Sequence, residues 1–228
     1  MGRIILIPGL LCDAFAWQGI LAHLPADTYI ADNTRQTTIT AMAETCLEET
    51  KGALRVAGHS MGARVVLEMV RLEPNRIEKM ALLDTGIHGL KEGEREKRQA
   101  IIDYAHEYGM QALAQRWLPS MVYEGNHNNK ELMDGLHAMV LRMTPEIHER
   151  QINALVNRPD AKTHLPNITC PTLLMVGRQD LWSPISQHED MQNCIKGSVL
   201  EIIEDAGHFA PCEQPQHTAA SLVPFLTK

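Results

Sequence analysis

The chain has 228 residues, is 44% hydrophobic and 21% charged, and carries a formal net charge of −7. That length and balance suit one globular domain with a small inserted lobe. The acidity argues against a nucleic-acid partner, and no apolar run reaches the roughly 20 residues that a membrane helix needs, so no membrane partner is expected.

Arg3–Ile7 is an apolar run too short for a signal peptide and reads as a strand. Pro8-Gly9-Leu10-Leu11-Cys12 is a turn, and Asp13 can cap a helix that runs to about Leu24 and is closed by Pro25. Thr28–Ala31 is a weak strand, and Thr40–Thr50 a helix ending at Gly52. Ala53–Ala57 reads as a buried strand, and Ala63–Leu72 carries apolar residues at helical spacing. Pro74-Asn75 breaks the chain before the buried strand Ile77–Leu83.

From about His88 to Asp160 the strand signals stop. Glu92–Tyr108, Met110–Met121, Lys130–Met143 and Pro145–Asn157 each look amphipathic and helical. Strands resume at Thr172–Val176 and Val199–Ile203, separated by a helix from about Pro184 to Ile195, and a last helix covers roughly Gln214–Leu226. Alternating strands and helices predict parallel βαβ units in one sheet. The expected division is a core of residues 1–87 and 161–228, with 88–160 as a helical cap over one end of the sheet.

Gly58-His59-Ser60-Met61-Gly62 reads G-x-S-x-G, and its setting carries more information than the pattern. A strand before it and a helix after it put Ser60 on a sharp strand-to-helix turn. Such a turn strains the serine backbone and demands small neighbours, because a Cβ at 58 or 62 would crowd the bend. It lifts the hydroxyl to a helix N-terminus, where free N–H groups favour developing negative charge.

In an open parallel sheet, ligands bind beyond the carboxyl ends of the strands. Polar groups follow three of the predicted strands: Ser60, then Asp180 in Gly177-Arg178-Gln179-Asp180, then His208 in Ala206-Gly207-His208-Phe209. Serine, acid, histidine is the chain order of a hydrolase triad on such a sheet. A serine hydroxyl needs a base to take its proton, neutral His208 can take it and later protonate a leaving group, and Asp180 can orient the imidazole. The backbone N–H groups of Met61 and of Leu10, in the turn after the first strand, are the candidate oxyanion donors. Asp84, at the end of Ile77–Leu83, is the competing acid. His59 reads as a packing residue turned from the pocket, and Cys12 as a packed thiol with no base in view.

Ile7-Pro8-Gly9-Leu10-Leu11, Gly58–Gly62, Gly177–Asp180 with Pro184, and Ala206–Phe209 followed by Glu213-Gln214-Pro215 together resemble the α/β-hydrolase superfamily, in its compact esterase, enol-lactonase and carbon–carbon hydrolase branch. The resemblance spans nearly the whole chain. It implies an α/β fold with helices on both faces of the sheet, the triad at strand ends, and a helical lid after Ile77–Leu83. Members usually carry His-Gly where this chain has Pro8-Gly9. The two antiparallel strands that usually open the sheet have no counterpart here, so a minimal, mostly parallel sheet of about six strands is expected.

The function expected is a serine hydrolase acting on a small carboxylic ester, thioester or lactone, with no cofactor. A carbon–carbon hydrolase or lyase, or a slow-turnover small-molecule receptor, are the alternatives. The insert's methionines (Met110, Met121, Met133, Met139, Met143) and the low aromatic content of 4% favour an aliphatic acyl pocket, with Trp17 and Trp182 as the aromatic exceptions beside the cleft. There is no C-x-x-C or H-E-x-x-H, so no metal site is signalled. The five scattered cysteines point to a reducing, cytoplasmic setting.

Overall fold

The computed structural model describes residues 2–228, so residue 1 of the expected core lies outside the described residues. Six strands form one sheet: β1 (Arg3–Ile7), β2 (Tyr29–Ile30), β3 (Leu54–His59), β4 (Ile77–Leu83), β5 (Thr172–Gly177) and β6 (Val199–Ile203). Their order is β2-β1-β3-β4-β5-β6, and every neighbouring pair is parallel. The chain therefore steps from β1 outward to β2 and then back across to β3. The direction of winding reverses between β1 and β3, which opens a crevice at their carboxyl ends.

The strands alternate their side chains between two cores. Leu6, Ala57, Ala81, Leu83 and Met175 face one, and Ile5, Ile7, Val56, Met80, Leu82 and Leu174 face the other. Both faces of β3 and β5 are buried along their whole length, which is why apolar residues dominate them. Helices α2 (Ile39–Glu49), α3 (Met61–Leu72) and α7 (Ile185–Cys194) cover the second face through residues such as Met42, Val66 and Met191. The first face is closed by the short α1 (Gln18–Leu21) and α8 (Ala210–Glu213) and by α9 (Pro215–Thr227), through Ile20, Ala210 and Leu222.

Between β4 and β5 lie α4 (Glu94–Trp117), α5 (Lys130–Leu141) and α6 (Pro145–Val156). Helix α4 is broken at Gly109, whose φ of 77° and ψ of 173° suit glycine alone. Its two arms match the two amphipathic segments expected on either side of that residue. The helix expected from Asp13 to Leu24 is instead a 3₁₀ turn, Ala14–Trp17, followed by the four residues of α1. Asp13 does cap it, accepting from the Phe15 N–H at 2.9 Å. Among the described residues, no helix is long and apolar enough to cross a membrane.

Candidate active site

Ser60 stands between β3 and α3 with φ 55° and ψ −113°. Such a conformation costs an L-residue about 1–3 kcal/mol and persists only where its surroundings over-determine it. The Ser60 N–H donates to the Leu83 carbonyl at 2.8 Å, and the Thr85 hydroxyl donates to the Ser60 carbonyl at 3.0 Å. Thr85 is fixed in turn by its N–H donating to Nε2 of buried His188 at 3.2 Å. A Cβ on Gly58 would run into the Gly62 carbonyl oxygen, and a Cβ on Gly62 into the Ile7 carbonyl oxygen.

His208 follows β6 in a turn held from several sides. Its N–H donates to the Met121 carbonyl at 2.7 Å. Its carbonyl lies 2.6 Å from Nε2 of His59, which must donate because a carbonyl only accepts. Buried Glu213 accepts from the Gly207 N–H at 2.9 Å, the Phe209 N–H at 3.2 Å and the Tyr123 N–H at 2.9 Å. Burial pushes the Glu213 carboxyl up from its usual range. Glu213 thus ties the His208 turn to the chain segment after α4.

The His208 ring joins two partners. Nε2 lies 2.8 Å from the Ser60 hydroxyl, and Nδ1 lies 2.8 Å from Asp180 Oδ2. The other Asp180 oxygen accepts from the Trp182 N–H at 2.8 Å and the Ser183 N–H at 2.9 Å. Burial alone would raise the Asp180 pKa, but His208 and the two N–H donors outweigh it and hold the carboxyl below its ordinary value. Asp84 is fully buried at the end of β4 and turns elsewhere. Its Oδ1 accepts from the Gly177 N–H at 2.9 Å, and its Oδ2 has no hydrogen-bond partner among the described residues. Burial, and then the charge of Asp180, push the Asp84 pKa well up.

Leu10 and Met61 border the same cavity as Ser60 and His208. Met61 opens α3 and so has no partner within the helix for its N–H. The turn that carries Leu10 is set by the insert. Gln151 on α6 is fully buried, accepts from the Leu11 N–H at 2.9 Å and donates to the Asn33 carbonyl at 3.1 Å. Leu11 itself has a φ of 58°. Serine hydroxyl, imidazole and carboxylate in series, beside a helix N-terminus, can deprotonate the hydroxyl and stabilise an oxyanion.

The cavity has a volume of about 530 Å³. Its floor is Leu10, Ser60, Met61, Thr85 and His208; Ile101, Leu113, Trp117, Met121, Ile152 and Leu155 of the insert supply apolar wall. Trp182 borders it and is half exposed. Trp17 does not. The 3₁₀ turn rolls it into the core, fully buried in the cluster that holds Leu6 and Ile20, so its expected place beside the cleft is corrected. Met121 is the one of the five expected methionines on the wall; Met110, Met139 and Met143 are buried in the core, with Met133 packed against it.

His59, Thr85, Gln151 and Glu213 went unrecognised by sequence reasoning as parts of this site. His59 packs as expected, stacked on Phe209, yet it also borders the cavity beneath His208. Burial and then the neighbouring His208 push its pKa down to about 3, so it stays neutral. Among the described residues, no three His, Cys, Asp or Glu side chains are grouped to hold a metal ion.

The fold has known counterparts. A thermophilic esterase from Thermogutta terrifontis, determined with malate bound, superposes with a TM-score of 0.89 at 25% identity, over 99% of this chain and 89% of that one. The enol-lactonase from Burkholderia xenovorans LB400 gives 0.88 at 21% identity, over 100% and 92%. In sequence, RutD of Pseudomonas syringae pv. syringae (strain B728a) is 25% identical over 173 residues, which is 75% of this chain and 66%, just under two thirds, of that protein. The profile of the alpha/beta hydrolase family runs through residues 4–221, from the first strand into the last helix, and the protein belongs to that family.

Proposed function

We propose that the protein is a serine hydrolase that cleaves a small carboxylic ester, thioester or lactone through an acyl-enzyme. The observation that carries this is the unbroken contact series from Ser60 Oγ through His208 to Asp180, each link 2.8 Å long. Ser60 attacks the carbonyl as His208 Nε2 takes its proton. The Leu10 and Met61 N–H groups receive the oxyanion. His208 then protonates the leaving oxygen, and water, deprotonated by the same ring, releases the acid. Asp180 holds the ring in the tautomer that leaves Nε2 free to accept.

Residues 88–160 act as the cap, walling the reacting carbonyl from bulk water, with Trp182 at the rim. A cytoplasmic setting is supported by the five free thiols. The test is labelling with a fluorophosphonate together with turnover of simple esters. One label per chain, lost in Ser60→Ala, and many turnovers per enzyme are expected. Labelling that survives Ser60→Ala would overturn the assignment, and a single slow turnover would instead indicate a receptor. Activity on an ester in Ser60→Ala should fall to the residual level that binding and the oxyanion hole sustain.

A further inference from the structure

The cavity above Ser60 is cationic although the protein is acidic. Six Lys and Arg side chains border it against the two carboxylates of Glu92 and Glu94. Most of that excess lies on the insert, but one member lies on the core. Arg64 is four residues beyond Ser60 on α3, and so on the same helical face. Four residues span about 6 Å along the axis, and side chains lean toward the helix N-terminus, which tips Arg64 back toward Ser60.

The neighbouring arginines are satisfied by one acid. Arg158 pairs with Glu94 through Nη2 at 2.7 Å and Nη1 at 2.9 Å, and Arg98 Nε reaches the same carboxylate at 2.7 Å. Burial would raise the Glu94 pKa, but these contacts bring it down to about 2, so its charge is fully committed. Arg64 is left out. Its guanidinium donates to the His88 carbonyl at 3.1 Å and makes no ion pair among the described residues. Burial and then Arg158 bring its pKa down to about 9, so it remains charged at neutral pH. Its side chain also borders a smaller cavity of about 180 Å³. A guanidinium that makes one hydrogen bond and no ion pair keeps donors free for an anion in the cavity.

We propose that Arg64 binds an anionic group, such as a carboxylate, at the far end of the substrate's acyl chain. This rests on the hydrolase function proposed above. Attack by Ser60 directs the leaving oxygen to His208, so the acyl chain extends along the remaining wall, where Arg64 stands. The protein then selects half-esters of dicarboxylic acids, or ring esters that bear a carboxylate, over neutral acyl esters.

The test compares ethyl hydrogen adipate and ethyl hydrogen suberate with ethyl heptanoate and ethyl nonanoate, by pH-stat, in wild type, Arg64→Gln and Arg64→Lys. The half-esters should have a higher kcat/KM than the neutral esters of matched length. The ratio should drop roughly tenfold or more in Arg64→Gln, as expected for a charge-assisted hydrogen bond, with part of it recovered in Arg64→Lys. Thermal melting of both variants checks that they fold. Adipate binding to Ser60→Ala, with and without Arg64→Gln, is measured by calorimetry. Arg64-dependent adipate binding with no turnover of any ester would keep the anion site and sink the hydrolase. Turnover with an unchanged ratio in Arg64→Gln would sink the anion site alone.

Discussion

Asp84 and Asp180 are two buried carboxyls at adjacent strand ends, and their surroundings separate them. Asp180 has its charge met by His208 and two N–H groups, whereas one oxygen of Asp84 has no hydrogen-bond partner among the described residues and only the neutral His59 ring near it, at 3.7 Å. Asp180→Asn should therefore lower kcat by about 10³–10⁴, because an amide can donate to Nδ1 and stabilise the wrong tautomer. Asp84→Asn should cost far less, since it keeps the oxygen that accepts from Gly177. Steady-state rates of the two variants decide the matter, and the reverse order would hand the acid role to Asp84. Ser60, Asp180 and His208 were visible in the sequence because each lies in the turn that follows a predicted strand. The roles of His59 and Glu213 were not, because the His208 carbonyl, the Tyr123 N–H and the Asn126 amide reach them only once the chain has folded.

At the scale of elements, the turn from β3 to α3 depends on backbone room at Gly62. A methyl group there meets the Ile7 carbonyl, which cannot move without breaking the pairing of β1 with β3. Gly62→Ala should destabilise the protein by about 1–3 kcal/mol, the usual cost of overpacking, and displace Ser60 enough to remove fluorophosphonate labelling. Unchanged thermal stability would show that the turn is less tightly packed than its geometry implies. The strands were legible because clustered apolar residues mark them: Ile77–Leu83 and Val199–Ile203 coincide with their expected limits although Glu78, Lys79 and Glu201 interrupt them. The segment after Asp13 was less so. Trp17 fits an amphipathic helix by spacing, but the chain tightens into a 3₁₀ turn, and that rotation carries its indole into the core.

For the whole molecule, the buried histidines set the response to acid. Burial brings His148 and His188 down to about 4 and His59 to about 3, against an ordinary value of 6.5. Between these limits the unfolded chain binds protons that these folded rings refuse, so they lower stability as pH falls, against the opposite pull of Asp84 and Glu213, whose raised carboxyls favour the folded state in acid. Each such group adds up to about 1.4 kcal/mol per pH unit in that window. The urea midpoint should decline steadily from pH 7 to pH 4, and His188→Gln should make the decline shallower. A midpoint flat across that range would mean that these rings charge without unfolding.

The break at Gly109 divides α4 into arms with different attachments. The first arm holds Glu94 and Arg98 and so belongs to the charged network around Arg158, while the second packs Leu113 and Ala114 into the core. Ala105 of the first arm shares that core, but Glu94 and Arg98 lie outside it, so substituting them passes no strain to the residues that anchor the second arm. On the proposed function, Glu94, Lys97 and Arg98 of the first arm border the enclosure while the reacting groups stand at the strand ends, so descendants of this sequence could change diet by altering those charges while leaving the reacting groups where they are.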